Sequence, residues 1–257
     1  MDPATLIGIA IAFIAIFTGN VMEGGNPLSI MLIPPMIIVF GGTIGAAVAG
    51  GTMADTKNAV TSLKRAFTGK PMPAADLVPV VVTLAEKARR EGLLALEDAV
   101  RGLDDDFLKH GVTLAVDGTD PEELREIMES EVYAKRASDK QSAKLFTDMG
   151  GYAPTIGIVG TVMGLVHVLE NLANPDELGH MIAGAFVATL WGVLSANGLW
   201  LPIASRLKRL GELEAARMEV AIEGVVAIQA GSNPRVVAQK LKSLLPDAKR
   251  EPEKEAA

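Results

Sequence analysis

The sequence is notable first for what it lacks. Its 257 residues include no cysteine, which excludes disulfide bonds, thiolate catalysis and cysteine-ligated metals. Aromatic residues make up only 4% of the chain, and charge is missing from long stretches. The four uncharged stretches lie between Asp2 and Glu23, Glu23 and Asp55, Asp148 and Glu170, and Glu177 and Arg206. With 49% apolar residues and a mean hydropathy of +0.30, this segregation of charge indicates a membrane protein.

Each uncharged stretch is long enough to cross a bilayer as a helix. Roughly 20 apolar residues cover a hydrocarbon core of about 30 Å. Backbone in lipid must satisfy its own hydrogen bonds, which favours helices over strands here. We predict four transmembrane helices, at about residues 4–19, 28–50, 153–172 and 178–204.

The basic residues predict the orientation of these spans. All 24 lysines and arginines lie between Lys57 and Lys144 or from Arg206 onward, and none lies in the turns around Glu23 or Asp176. By the positive-inside rule, the central loop, the tail and both termini are cytoplasmic. The net charge of −7 is no objection, because the rule counts Lys and Arg near the span ends.

The segments outside the membrane carry helical signals. Asp120 at a cap, Pro121 at the first helical position and two glutamates in the first turn predict a helix start. This helix can continue into the third span. The fourth span can likewise continue to about Ala230, where Gly231 to Pro234 predict a stop and a new start.

The sequence therefore predicts an all-α integral membrane protein with five segments. These are a transmembrane hairpin at 1–51, a helical cytoplasmic loop at 52–148, a pore-forming transmembrane hairpin at 149–205, a helical cytoplasmic tail at 206–245, and a charged, disordered tail at 246–257.

Small residues recur at four-residue spacing in the second hairpin. The third span carries Gly160 and Gly164, and the fourth carries Gly184, Ala188, Gly192 and Ala196. Such stripes let helix backbones approach closely, either within one chain or between subunits, and the sequence does not distinguish the two.

Few polar side chains interrupt the spans, and Thr161 and Thr189 stand out because each lies mid-span beside small residues. Intramembrane polar groups point to function, although a lone threonine often bonds only its own helix backbone. Neither helix carries an acid or a base at mid-membrane. If the chain conducts ions, the carboxylate must come from another chain.

Enzyme motifs are absent. No Walker loop, HExxH or GxSxG sequence occurs, and Asp104 to Asp106 are interpreted as an acidic turn rather than a metal site. We expect no enzymatic activity, no cofactor, no bound metal and no nucleic-acid partner.

Several motifs resemble those of one family. They are Ala88-Arg89-Arg90-Glu91-Gly92-Leu93-Leu94-Ala95-Leu96-Glu97, Phe107-Leu108-Lys109-His110-Gly111, Val116-Asp117-Gly118, Tyr152-Ala153-Pro154-Thr155-Ile156-Gly157 and Asp176-Glu177-Leu178-Gly179. These motifs, in this order, resemble those of the MotA/PomA flagellar motor stator subunits of the MotA/TolQ/ExbB proton channel superfamily. The resemblance as a whole runs from the N-terminus to about Leu245.

The resemblance implies a function in bacterial motility and chemotaxis. Such subunits form a ring of five in the inner membrane around two copies of a MotB- or PomB-type partner. That partner is a single-span, peptidoglycan-anchored chain whose aspartate binds the ion. Influx of protons or sodium drives the ring, whose cytoplasmic loop pushes on the rotor protein FliG.

The resemblance also implies roles for individual residues. Arg89 and Glu97 match the charged pair that contacts the rotor, and Arg90 is the alternative to Arg89 in that match. Without the resemblance, these residues would be interpreted as a solvated charged face. Pro175 and Pro202 match prolines that couple conformation to ion flow, against a reading as static kinks or helix boundaries.

Thr161 and Thr189 match the ion pathway of these stators. A threonine at the position of Thr161 is typical of sodium-driven members, which favours sodium. Two alternatives stay open: an ExbB/TolQ-like energy-transducing channel subunit of the cell envelope, and a scaffold that conducts nothing.

Overall fold

The structure is a computed structural model that describes residues 3–70 and 72–245. Every regular element in these two ranges is helical, which confirms the predicted all-α fold. The predicted disordered tail, 246–257, lies outside the described residues.

Eleven α-helices occur in the described residues. They are α1 (Ala4–Met22), α2 (Ile33–Met36), α3 (Gly42–Ala49), α4 (Met53–Thr68), α5 (Leu77–Glu91), α6 (Leu96–Val100), α7 (Asp106–Val116), α8 (Pro121–Glu170), α9 (Pro175–Ser195), α10 (Leu201–Gln229) and α11 (Pro234–Ser243). Two π-helical segments, Ile37–Gly41 and Ala196–Trp200, join α2 to α3 and α9 to α10. Short 3₁₀ turns occupy Pro27–Ile30, Ala74–Asp76 and Leu93–Ala95.

The chain divides by its internal contacts into two compact units. The membrane unit comprises Met1–Lys70 with Asp139–Arg209, and the loop-and-tail unit comprises Pro71–Ser138 with Leu210–Ala257. This division assigns α4 to the membrane unit because Ala59 and Ala66 of α4 are buried in a cluster with Phe146 and Leu207. Contacts do not locate the bilayer surface, so the five segment boundaries stay predictions.

Three helical stretches in the described residues are long and apolar enough to cross a membrane. They lie in Ala4–Met22, Pro121–Glu170 and Pro175–Gln229. A further apolar stretch, Ile33–Ala49, is shorter and lies near the lower limit of roughly 17 residues for a spanning helix. The chain is thus a multi-pass membrane protein, and the count of four spans stays a prediction.

Helix α8 begins where its capping signal predicts and runs unbroken for 50 residues. The Asp120 carboxylate accepts a hydrogen bond of 2.9 Å from the Glu122 amide, and Pro121 is the first helical residue. The predicted continuity from the loop helix into the third span is confirmed. Pro154 lies inside the helix without ending it.

The fourth apolar stretch of the chain also continues as predicted, but with a feature that was missed. Helix α10 ends at Gln229, Gly231 adopts a φ of 63°, and Asn233 caps α11 by accepting from the Arg235 amide. Between α9 and α10, however, the backbone widens into the π-helical segment just before Pro202. Because Pro202 has no N–H and crowds the carbonyl one turn earlier, a wider turn at this point relieves the conflict.

A candidate ion pathway between two membrane helices

Helices α8 and α9 are joined by only four residues, so they pack as antiparallel neighbours. Their backbones meet at Gly157 and Gly192. A Cβ atom on Gly192 would lie 2.7 Å from the Ala153 carbonyl oxygen and 3.0 Å from the Gly157 Cα. Only glycine fits at this crossing, because any side chain would overlap the backbone of the facing helix.

The predicted packing glycines divide into two groups. Cβ atoms on Gly160 and Gly164 would lie 2.8 Å and 2.7 Å from the Cβ atoms of Ala188 and Ala185. A Cβ atom on Gly184 would contact only the Leu32 side chain, at an ordinary van der Waals distance of 3.8 Å. The structure thus places Gly160, Gly164 and Gly192 on the α8–α9 contact, and Gly184 away from it.

Gly157 is a site residue that the sequence reasoning did not single out, although it lies three residues before Gly160 on the same stripe. Its role is double. It allows the close crossing, and its carbonyl oxygen accepts hydrogen bonds from threonines on both helices.

The hydroxyls of Thr161 and Thr189 meet across this contact. Their Oγ1 atoms are 2.5 Å apart. Thr161 Oγ1 lies 2.9 Å from the Ala185 carbonyl oxygen and 3.1 Å from that of Gly157, and Thr189 Oγ1 lies 3.4 Å from the Gly157 oxygen. Two hydroxyl and two carbonyl oxygens therefore form a compact oxygen cluster, which we call the threonine cluster.

The threonine cluster has fewer protons than acceptors. Each hydroxyl donates one hydrogen, while four oxygen atoms can accept. Both side chains are half-buried, and the bond from Thr161 to Gly157 is the back-bond to its own helix expected for a structural threonine. The bonds that cross to α9 go beyond that role, because they join two helices at one polar point.

The surroundings of the cluster are apolar. No Asp, Glu, Lys or Arg occurs between Asp148 and Glu170 or between Glu177 and Arg206. A cavity of about 330 Å³ lies alongside, lined by apolar groups, by Gly160, Gly164 and Gly184, and by His167 and His180. Oxygen atoms in such an environment interact more strongly with a cation than they would in water.

The two predicted coupling prolines occupy different kinds of position. Pro175 is the first residue of α9, where its missing N–H has no helical partner to lose. Pro202 is the second residue of α10, directly after the π-helical segment. Pro175 thus begins a helix, whereas Pro202 lies at a local change of helical geometry.

The predicted rotor-contact residues lie in the loop-and-tail unit. Arg89 and Arg90 are in the last turn of α5, and Glu97 is in the first turn of α6; all three are exposed. Gly92, with a φ of 86°, ends α5 between them. Their eight-residue spacing therefore does not place them on one helical face, because the helix is broken.

Ion pairs tie the helices of this unit together. Glu223 of α10 accepts from Arg125 of α8 and pairs with Lys240 of α11, each at 2.6 Å. The hydrogen bond from Arg125, together with Lys240, lowers the pKa of Glu223 to about 2, and the same bond raises the pKa of Arg125. The carboxylate is therefore charged at every physiological pH.

Comparison with known proteins places these features in one family. Residues 6–92 match the family described as Motility protein A N-terminal, and residues 99–220 match the MotA/TolQ/ExbB proton channel family. Motility protein A of Bacillus subtilis is 41% identical, over 96% of this chain and 92% of that protein. Motility protein A of Treponema phagedenis is 37% identical, over 99% and 98%.

Solved structures agree. The C. jejuni MotAB structure contains a chain that is 33% identical with a TM-score of 0.93, and the match covers 98% of this chain and 100% of that one. The flagellar MotAB stator complex of Bacillus subtilis gives 41% identity, a TM-score of 0.89, and coverage of 96% and 98%. The chain therefore belongs to the MotA/TolQ/ExbB proton channel family, among its Motility protein A members.

Proposed function

We propose that this chain is the channel-forming A subunit of a flagellar motor stator, which couples cation influx to torque. The family match and the similarity to two MotAB structures support this proposal. As a channel subunit, the chain acts by moving ions and helices rather than by making or breaking covalent bonds. A unit charge that crosses 100 mV releases about 2.3 kcal/mol, which can drive a small conformational step.

The observation that carries the ion pathway is the threonine cluster. It is a polar point between two helices that carry no Asp, Glu, Lys or Arg in their apolar stretches. A cation crossing there needs oxygen ligands and a counter-charge, and the cluster offers only the ligands. The counter-charge is supplied by a second chain, a MotB/PomB-type, single-span, peptidoglycan-anchored subunit with an intramembrane aspartate.

The transported cation is a proton or sodium, and the cluster favours sodium. Hydroxyl and carbonyl oxygens are suitable ligands for a hard metal cation. None of the four oxygens titrates near neutral pH, so the cluster itself cannot bind and release protons. No cofactor is required.

The loop-and-tail unit transmits the motion. Arg89, Arg90 and Glu97 are exposed charges on either side of the break at Gly92, available to charges on the rotor protein FliG. Both termini lie on the cytoplasmic side, and five copies surround two partner chains in the inner membrane. Pro175 and Pro202, at the two ends of the fourth apolar stretch, act as coupling points.

The match of residues 6–92 to Motility protein A supports a stator over the alternative ExbB/TolQ-like envelope channel. Copurification separates the two directly. Affinity isolation of the full chain from its own membranes is expected to recover a peptidoglycan-binding, single-span chain with an intramembrane aspartate. Recovery of a partner without a peptidoglycan-binding region would contradict the stator assignment.

A swimming assay tests conduction and ion choice together. Replacing Thr161 or Thr189 with valine is expected to abolish motility while the complex still assembles, because a hydroxyl of the oxygen cluster is removed without added volume. Thr155→Val is the matched control, since Thr155 is exposed on the same helix and bonds only its own backbone among the described residues. Normal swimming with valine at Thr161 and Thr189 would indicate a scaffold, and unchanged speed without sodium at fixed membrane potential would exclude sodium.

A further inference from the structure

Helix α4 presents one exposed stripe that its own unit does not cover. Met53, Lys57, Val60 and Lys64 follow one another at spacings of four, three and four residues. At 100° per residue they lie within about 60° of one another around the helix. Met53 and Val60 are 66% and 63% exposed, and both lysines are exposed. Apolar and basic side chains thus alternate along a single outward line.

Two features hold α4 in place: the capping box at its N-terminus and the buried face opposite the exposed stripe. Thr52 and Asp55 form a capping box at its N-terminus, three residues after α3 ends at Ala49. On the far side of the helix, Ala59 and Ala66 are completely buried in the membrane unit. The helix therefore begins where an apolar stretch ends, and its orientation about its own axis is determined.

The contacts of α4 with α8 show how the helix is directed. Asp55 lies near Gln141 and Lys144, whereas Arg65 forms an ion pair with Asp139. Asp55 and Arg65 are separated by about 15 Å of helix, while their partners on α8 span only about half that length. Helix α4 therefore runs at an angle to α8 rather than parallel to it, and α8 itself continues into an apolar stretch.

The charge of the stripe is of one sign. The only acid of α4 is Asp55, whose Oδ2 accepts from both the amide and the hydroxyl of Thr52. Neither Lys57 nor Lys64 makes an ion pair with any residue in the described parts of the chain. Two unpaired ammonium groups that alternate with two exposed apolar side chains are complementary to an anionic surface with an apolar layer behind it.

We propose that the Met53–Lys57–Val60–Lys64 stripe is a binding surface for anionic phospholipid headgroups of the adjacent leaflet. Met53 and Val60 insert at the level of the headgroups, and the two ammonium groups bind phosphate oxygens. The alternation suits a helix lying at the interface, because lysine stems cover apolar surface while their ends stay in the polar layer. Acidic lipids would thereby fix the outer edge of the membrane unit.

The absence of cysteine makes a site-specific test simple. Val60→Cys, introduced into the full chain in complex with its partner, is labelled with an environment-sensitive fluorophore and placed in lipid nanodiscs. The discs contain phosphatidylcholine with increasing phosphatidylglycerol and a headgroup spin label as quencher. We expect the emission to shift to the blue and to be quenched as phosphatidylglycerol is added. The phosphatidylglycerol fraction at which half of the emission change has occurred should rise about fivefold for each of Lys57→Gln and Lys64→Gln.

Two controls keep the test specific. Asn58→Cys places the same label about 160° around α4 on another exposed position, where neither change is expected. Lys87→Gln with Lys242→Gln removes two lysines from the loop-and-tail unit and should leave the Val60 signal unchanged.

The proposal is overturned if the Val60 label responds equally in phosphatidylcholine alone, or if the lysine variants change nothing. It is also overturned if the label is shielded from the quencher while Val60→Cys forms disulfide-linked dimers, which would mean that a second copy covers the stripe.

Discussion

Each of the two units of this chain is held together internally by its own kind of contact. In the membrane unit, α8 and α9 approach so closely that Gly157 and Gly192 touch backbone to backbone. In the loop-and-tail unit, 24 buried apolar side chains form one core, and ion pairs link α8, α10 and α11 around it. Lipid provides no hydrophobic drive between helices, so close packing and shared hydrogen bonds must hold them. In water, apolar burial does most of this work.

This difference suits a motor subunit. A unit packed backbone to backbone transmits small movements, because a tight contact cannot absorb them by side-chain rearrangement. A unit with a large core and paired charges moves as one body. We therefore expect each unit to be destabilised by a different change. Added side-chain volume should destabilise the membrane unit, and an unpaired charge should destabilise the loop-and-tail unit.

The largest effect is expected from adding one methyl group to the membrane unit. In Gly192→Ala the new Cβ overlaps the Ala153 oxygen and the Gly157 Cα. Overpacking of this kind costs about 1–3 kcal/mol, or roughly a five- to 150-fold loss of assembled complex. Gly179→Ala is the control, since a Cβ there meets nothing within 4 Å. Quantifying the complex in detergent extracts measures the effect; equal yields would refute backbone contact as the basis of this packing.

Charge reversal on the exposed loop should remove motility without removing the channel. For Arg89→Glu and Glu97→Lys we expect at least roughly tenfold slower swimming, because like charges would face each other at the rotor. Glu126→Lys reverses an exposed charge on α8 in the same unit and should have little effect. Normal swimming of both loop variants would exclude these residues from the rotor contact, and loss of the complex would point to a structural role.

A buried ion pair should matter more than an exposed one within the loop-and-tail unit. The Arg217–Asp105 pair is 2.7 Å long, and its side chains are only 15% and 14% exposed. Asp105 also caps α7 through the Leu108 amide, so Arg217→Ala should cost about 2–3 kcal/mol. Arg136→Ala breaks a pair that is about half exposed and should cost less than about 1 kcal/mol. Hydrogen exchange of α7 and α10 amides measures both, and equal protection in the two variants would contradict this ranking.

The smallest effect is a pH dependence that arises from Glu223. Its pKa is about 2 in the folded chain, against an ordinary value of 4.5. A lowered pKa stabilises the folded state fully above the unfolded value, so this contribution should disappear as pH falls from about 4.5 towards 2. The protection factors of the α10 amides, which correct for the pH dependence of intrinsic exchange, should fall over that range, and should fall less in Glu223→Gln. An unchanged pH profile in Glu223→Gln would show that the acid sensitivity arises elsewhere.

The sequence predicts the helices well because their signals are local. Asp120 and Pro121 begin α8, and Gly231 with Asn233 separates α10 from α11, as expected from cap chemistry. Charge segregation indicates the membrane stretches without any knowledge of their packing. The two π-helical segments were missed, because they depend on how a helix accommodates its neighbours and a following proline, which no local pattern records.

The candidate site could be predicted only in part. Thr161 and Thr189 stood out as polar residues in apolar stretches, but their 2.5 Å contact depends on the register of α8 against α9. Gly157 was overlooked for the same reason, since its importance comes from facing Gly192. Arg89 and Glu97 were predicted through the resemblance, and the structure adds that Gly92 separates their helices.

The most direct test of the account is cation flux through the complex reconstituted with its partner in liposomes. Replacing both Thr161 and Thr189 with valine keeps side-chain size nearly unchanged and removes both hydroxyls of the threonine cluster. At a fixed imposed potential, we predict at least a roughly tenfold lower influx than in the unaltered complex or in Thr155→Val, with the same amount of complex incorporated. Equal influx in the double variant would contradict an ion pathway through this cluster.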